Sequence, residues 1–205
     1  MTLTQITLFF SAIIFVIGMA MLIHSWIDKR GLRKSFLLLT SEYQGKVLQD
    51  NPLVYPYFTG RVAERKLDLF FQVVKVGRRH ILYFIYSLKS DLPLDLLLLK
   101  SDYFKPVADE AEFSKKAGSV LQELEPRYQI RSQDPEAAKA LLSRIDFKEH
   151  LQPLDDFSTL QLGPDAIVMG KPFENFSDAE PSRVKRNIRA MEKLAESMER
   201  RLIPA

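Results

Sequence analysis

The first 27 residues contain no Asp, Glu, Lys or Arg, and most of them are apolar. The stretch from Ile6 to Ile23 reads ITLFFSAIIFVIGMAMLI. At about 1.5 Å per residue, a helix from Leu3 to Ile27 is long enough to cross a hydrocarbon core of roughly 30 Å. The sequence therefore predicts one transmembrane anchor over residues 1–28, with a soluble part on its C-terminal side.

Two other interpretations of this segment fit less well. A cleaved signal peptide carries basic residues before a shorter apolar core, and no Lys or Arg precedes this core. The core helix of a soluble protein shows polar side chains along one face. Here the polar groups are mainly Ser and Thr hydroxyls, which can bond back to their own helix.

The flanks of the span predict its orientation. Basic residues are absent before the span but follow it closely, and such residues stay on the cytoplasmic side of a membrane. We therefore expect an inner-membrane protein with its N-terminus outside and its soluble domain in the cytoplasm. The ring of Trp26 suits the headgroup level. The predicted membrane-interface residues are Trp26, Lys29, Arg30, Arg33 and Lys34.

Small residues within the span indicate where another helix could approach. Attraction between helices in lipid comes from close packing, so small side chains favour docking. Ser11 and Gly18 are seven residues apart, two turns along one helix face. We assign them as candidate helix-docking residues. An isolated anchor in lipid is the simpler alternative.

The rest of the chain predicts an α+β domain. Residues 29–50 are basic and amphipathic, which predicts a juxtamembrane helix, and residues 51–205 form the soluble domain. Three apolar segments, 66–76, 80–88 and 92–99, predict an antiparallel meander with short turns. Later strands, at 127–131 and 160–169, would extend the sheet. The side chains expected in the core are Phe71, Leu82, Phe84, Leu96 and Leu98.

The chain ends in a long amphipathic helix. Its apolar residues recur at alternating spacings of four and three, a coiled-coil-like stripe that covers about two and a half heptads. Such a stripe can pack on the chain's own sheet or on a second copy, and packing on the sheet is the simpler case. The stripe consists of Val184, Ile188, Met191, Ala195, Met198 and Leu202.

The usual signatures of catalysis are missing. The chain has no cysteine, which excludes thiol nucleophiles and cysteine-held metals. Its three histidines show no paired metal-binding spacing, and no GxSxG, GxxxxGK[ST] or GxGxxG motif occurs. We therefore assign no catalytic, metal or cofactor-binding residues and expect no cofactor.

An aromatic and basic group forms a candidate partner surface. The residues assigned to it are Tyr55, Tyr57, Phe58, Arg78 and Arg79. Residues 24–90 carry 12 basic and 5 acidic side chains, whereas residues 91–179 carry 10 and 17. The acidic second section counts against nucleic acid, and basic residues beside a span suit anionic lipid.

Three functional hypotheses follow from these features. The leading one is a non-catalytic accessory subunit that docks on a larger integral membrane complex. The alternative is a membrane-anchored enzyme or small-molecule binder with a pocket between sheet and helices. A third is a scaffold that self-associates through the span or the last helix.

Overall fold

The computed structural model describes residues 3–76, 78–92, 95–100, 119–124, 128–132, 134, 136, 138–139, 147–154 and 157–202. Nine strands form one antiparallel sheet in the order β1-β2-β3-β4-β9-β8-β5-β7-β6. The strands are β1 (Lys46–Leu48), β2 (Tyr57–Val62), β3 (Arg65–Val76), β4 (Arg79–Lys89), β5 (Leu96–Lys100), β6 (Ser119–Leu124), β7 (Tyr128–Ser132), β8 (Thr159–Leu162) and β9 (Ala166–Pro172).

Helices precede and follow this sheet. They are α1 (Leu3–Leu37), α2 (Phe147–Leu151), a 3-10 helix (Phe176–Ala179) and α3 (Pro181–Leu202). The predicted fold class is confirmed: an N-terminal apolar helix, an antiparallel sheet with helices, and a long final helix. Predicted boundaries between domains stay predictions.

The meander is present, but its members differ from the prediction. Strands β1 to β4 are consecutive neighbours, whereas β5 pairs with β7 and β8 and not with β4. The β8–β9 hairpin lies between β4 and β5, because β9 pairs with β4 and β8 pairs with β5. Ser90, which is buried, follows β4 and contacts the β8–β9 turn. Its N–H donates to the carbonyl of Asp165 at 3.3 Å, and its hydroxyl donates to the carbonyl of Gly163 at 3.0 Å.

The predicted juxtamembrane helix over residues 29–50 is too long. Helix α1 ends at Leu37, and residues 46–48 already form β1. Gln44 has φ 43°, in the left-handed region, which ends helical geometry before Gly45. An added Cβ at Gly45 would lie 2.3 Å from the ring of Phe58, so only glycine fits. The apolar residues of the 29–50 segment are amphipathically spaced as predicted, but they pack on the sheet from a helix end, a turn and a strand, and not from one helix.

One face of the sheet holds the main core. The C-terminal part of α1 and helix α3 both cover this face. The ring of Phe36 on α1 lies 5.8 Å from that of Phe84 on β4 and 6.0 Å from that of Phe71 on β3. Three of the predicted core residues are confirmed as buried: Phe84, Leu96 and Leu98. Phe71 and Leu82 are only half-buried because the helix layer ends beside them.

The apolar stripe of α3 packs on its own sheet. Val184, Ile188, Met191, Ala195 and Met198 are fully buried, and the side chain of Leu202 lies outside the described residues. Packing of the stripe on the chain's own sheet, the simpler of the two alternatives, is therefore what the structure shows, and self-association through the last helix stays a prediction.

Candidate membrane-proximal interaction site

Helix α1 carries one stretch that is long and apolar enough to cross a membrane. Within Phe10–Leu37, an 18-residue window has a mean hydropathy of 2.1, and none of it is covered by the described chain. An exposed apolar surface of this length suits lipid. The helix is thus the chain's candidate membrane anchor.

The two docking residues predicted in the span lie on this uncovered surface. Ser11 and Gly18 are both exposed, and an added Cβ at Gly18 would meet nothing within 4 Å. Their contact with another helix stays a prediction.

The anchor enters the soluble domain without a linker. The same helix that is exposed at Ile23 has Leu32 and Phe36 fully buried in the core. Gly31 lets the helix approach closely, since an added Cβ there would lie 3.2 Å from the ring of Phe176. One continuous helix therefore forms the candidate span and also packs on the sheet.

The order of contacts along α1 shows which edge of the sheet lies nearest the span. The backbone N–H of Arg61 donates to the carbonyl of Tyr43, in the turn segment that follows the end of α1 at Leu37. Phe36 meets Phe71, further along the neighbouring strand. The C-terminal end of β3 is therefore the end that lies nearest the span. We name the strand ends and loops on this side of the sheet the span-side edge; it comprises residues 49–56, 70–75, 78–83 and 172–178.

Lys29 links α1 to the span-side edge. Its ammonium donates to the Ser25 hydroxyl at 3.0 Å and to the carbonyl of Leu53. It also lies 4.9 Å from the centre of the Tyr55 ring, and this ring packs 5.0 Å from that of Phe71. Lys29 is therefore a structural contact between helix and sheet as well as a basic flank of the span.

Three of the other predicted membrane-interface residues, Trp26, Arg30 and Arg33, line a shallow surface pocket. Arg30 lies 5.1 Å above the ring of Trp26, a cation–π contact. Arg33 and Lys34 are exposed, and the described part of the chain gives neither an ion-pair partner. The pocket has a volume of about 310 Å³ and is lined by Trp26, Arg30, Arg33, Gln49 and Pro52.

Exposed apolar side chains are concentrated at or next to the span-side edge. Outside α1, the described residues include six exposed large hydrophobic side chains; four of them lie in this edge and a fifth, Leu48, directly precedes it. The sixth, Leu38, follows the end of α1. Exposed apolar groups that gather at one place mark interaction surfaces. The five are Leu48, Leu53, Val54, Val73 and Phe176.

The residues assigned to the predicted partner surface differ in exposure, and their contact with a partner stays a prediction. Phe58 is fully buried, so its assignment to a partner surface is wrong; alternation along β2 turns it into the core. Tyr55 and Tyr57 are half-buried. Burial, followed by the hydrogen bond with Asp68, raises the pKa of Tyr57 to about 12. Arg78 and Arg79 are exposed at the turn between β3 and β4.

The outer face of α3 carries a basic groove that was not among the predicted sites. A surface pocket of about 410 Å³ is lined by Pro153, Ser182, Lys185, Arg186, Arg189, Ala190 and Lys193. Glu42 neutralises part of this charge, with carboxylate oxygens 2.6 Å from Lys185 and 3.0 Å from Arg189. The recurrence of basic residues every three or four positions could have revealed the groove.

A buried ion pair holds the connection from β9 to α3. The ammonium of Lys171 lies 2.8 Å from a carboxylate oxygen of Asp178, and both side chains are buried. Asp178 also accepts hydrogen bonds from the backbone N–H groups of Glu174 and Asn175, at 2.9 and 3.2 Å. These bonds fix the 3-10 helix that places Phe176 against α1.

Two pockets of the described residues lie outside the layer between sheet and helices. The space between sheet and helices holds the apolar core, and both pockets described above lie at the surface. Within the described ranges, no group of three or more His, Asp or Glu side chains is placed to hold a metal ion.

Comparison with known proteins gives a fold and no family. No protein-family model matches the chain, and no curated protein matches it. The chain is similar to the crystal structure of the mycobacterial trehalose monomycolate transport factor A, TtfA, with a TM-score of 0.59 and 12% sequence identity. The match covers 86% of this chain and 98% of that chain. At this identity the likeness shows the α+β fold alone.

Proposed function

We propose that this chain is a single-span, non-catalytic accessory subunit that docks on a larger integral membrane complex. Its soluble domain lies on the cytoplasmic side of the inner membrane, and its N-terminus lies outside. The observation that carries the proposal is the continuity of α1, which is exposed and apolar in the span and buried in the core at Leu32 and Phe36.

This continuity has a mechanical consequence. A helix that only tethers a domain can end in a flexible linker, whereas α1 joins the sheet directly. A partner that binds the span therefore also positions the span-side edge, with its exposed apolar and basic side chains. The name of the structural neighbour, a transport factor, is compatible with an accessory role at a membrane.

The orientation can be tested with two exposed residues. Changing Arg33 and Lys34 to Gln removes half of the basic flank but keeps the contacts of Lys29 with Leu53 and Tyr55. We expect a reporter fused after Ala205 to be cytoplasmic in the parent and partly misoriented in this variant. A parent reporter that protease reaches from outside intact cells would contradict the cytoplasmic placement.

The role of the span can be tested by enlarging its small residues. Ser11→Leu with Gly18→Leu raises hydrophobicity, so insertion is preserved, but the added side chains prevent close helix packing. We expect this variant to lose its membrane partner after mild solubilisation, compared with the parent at equal expression.

A matched control enlarges the opposite side of the same helix. Ala20 lies about 180° around α1 from Ser11, so Ala20→Leu should keep the partner. If the doubly enlarged variant retains the partner as well as the parent does, the span is only an anchor. Docking would then run through the soluble domain.

A further inference from the structure

The hairpin formed by β3 and β4 extends beyond the rest of the sheet. Strand β2 pairs with β3 only as far as Leu69, and β9 pairs with β4 only from Tyr83 onward. The ribbon beyond these points has two strands. We name residues 73–75 and 78–81 the hairpin tip.

The helix layer does not cover the tip. Along the helix-facing side of β3, Leu69 is fully buried, Phe71 is half-buried and Val73 is 59% exposed. On β4, the partner of Lys75 is His80, and both are exposed. The tip therefore presents an uncovered surface that includes an apolar side chain.

The tip points toward the span and is long enough to reach its end. From Phe71 to Lys75 a strand advances about 13 Å. From Phe36, which contacts Phe71, back to Lys29 a helix advances about 10 Å. The tip therefore lies near the level of Lys29 and Trp26, where the span leaves the membrane.

The hairpin tip carries basic side chains and no acidic ones. Lys75, Arg78 and Arg79 are exposed, and the described chain gives none of them an ion-pair partner. No Asp or Glu occurs between residues 69 and 90. Basic side chains mixed with exposed apolar ones, at headgroup level, form the surface that anionic lipid attracts.

From this placement, the geometry points to the hairpin tip as a second membrane contact, which binds anionic lipid headgroups beside the span. The inference rests on the proposed membrane anchoring and adds to it. The span sets the distance of the soluble domain from the bilayer, and the tip sets the angle between the domain and the bilayer surface. The span-side edge therefore faces the bilayer in one orientation.

Site-specific labelling tests this contact. Because the chain has no cysteine, an introduced cysteine is the single thiol that the dye can label. A single cysteine is introduced as Val73→Cys at the tip, or as Glu64→Cys at the opposite end of the hairpin. The labelled full chain is placed in nanodiscs of neutral lipid or of neutral lipid with anionic lipid. Quenching of an environment-sensitive dye by headgroup-attached quenchers is then measured.

We expect the Val73→Cys label to be quenched in anionic nanodiscs and much less in neutral ones, and the Glu64→Cys label to stay in water in both. Changing Lys75, Arg78 and Arg79 to Gln should shift the contact equilibrium by about a hundred-fold, since each charge contributes a factor of about five. The control changes three exposed basic residues elsewhere to Gln: Lys46, Arg61 and Lys193. It should leave the quenching unchanged.

Two results would overturn the inference. One is a Val73→Cys label that stays in water in anionic nanodiscs. The other is a label that is shielded only when a copurified membrane protein is present, which would assign the tip to a protein partner. A chain that does not enter nanodiscs at all would instead refute the anchoring on which the proposed function rests.

Discussion

Replacing Phe84 with Ala should lower the free energy of unfolding by about 3–5 kcal/mol. Phe84 is fully buried at the centre of the aromatic core. Its ring lies 4.8 Å from that of Phe71, 5.8 Å from that of Phe36 and 4.5 Å from that of Tyr86. Its removal leaves a cavity where α1 meets the sheet, so the loss should be large.

The measurement is denaturant unfolding of the full chain in detergent, followed by near-ultraviolet circular dichroism. Val73→Ala is the control, since Val73 is exposed and surface changes usually stay within about 0.5 kcal/mol. Equal unfolding midpoints for Phe84→Ala and the parent would show that α1 does not pack on β4 as described.

Replacing Asp178 with Ala should also cost about 3–5 kcal/mol, because it removes the carboxylate that compensates the buried positive charge of Lys171. The double variant Asp178→Ala with Lys171→Met tests this reason. It removes both charges, so it should recover a large part of the lost stability. A double variant no more stable than Asp178→Ala alone would mean that the loss comes from the other contacts of Asp178, which include two backbone N–H groups and the guanidinium of Arg183 at 3.3 Å.

The same ion pair predicts a pH dependence. Burial alone would raise the pKa of Asp178, but the hydrogen bonds from Lys171 and from two backbone N–H groups outweigh it and hold the pKa below its ordinary 3.8. A carboxylate with a lowered folded-state pKa stabilises the fold above its unfolded pKa. This stabilisation is lost as pH falls through the folded pKa. The stability difference between the parent and Asp178→Asn should therefore be constant near neutral pH and shrink in acid.

Features encoded by local pattern could be predicted from the sequence. The charge-free span, the strands that contain Phe71 and Phe84, and the stripe of α3 all follow from the spacing of apolar residues. The basic flank of the span was likewise visible as composition. Such patterns depend on residues that are close in sequence, so they can be recognised without knowing the long-range contacts of the fold.

Features that depend on distant contacts could not be predicted. The place of β5 depends on the insertion of the distant β8–β9 hairpin between β4 and β5, which no local pattern predicts. Phe58 belongs to an aromatic run that resembles a loop because of its prolines, yet alternation in β2 buries it. Arg78 and Arg79 were recognised as basic, but their position near the span depends on the packing of Phe71 against Phe36.

The most direct test of the accessory role is gentle extraction of the full chain with a tag after Ala205. The membrane is solubilised in mild detergent, the chain is captured, and its companions are identified and quantified. We expect a multi-span membrane protein to copurify in a fixed ratio with the parent chain and to be lost from the variant that carries both Ser11→Leu and Gly18→Leu. Recovery of the parent chain as a lone monomer from gently extracted membranes would contradict it.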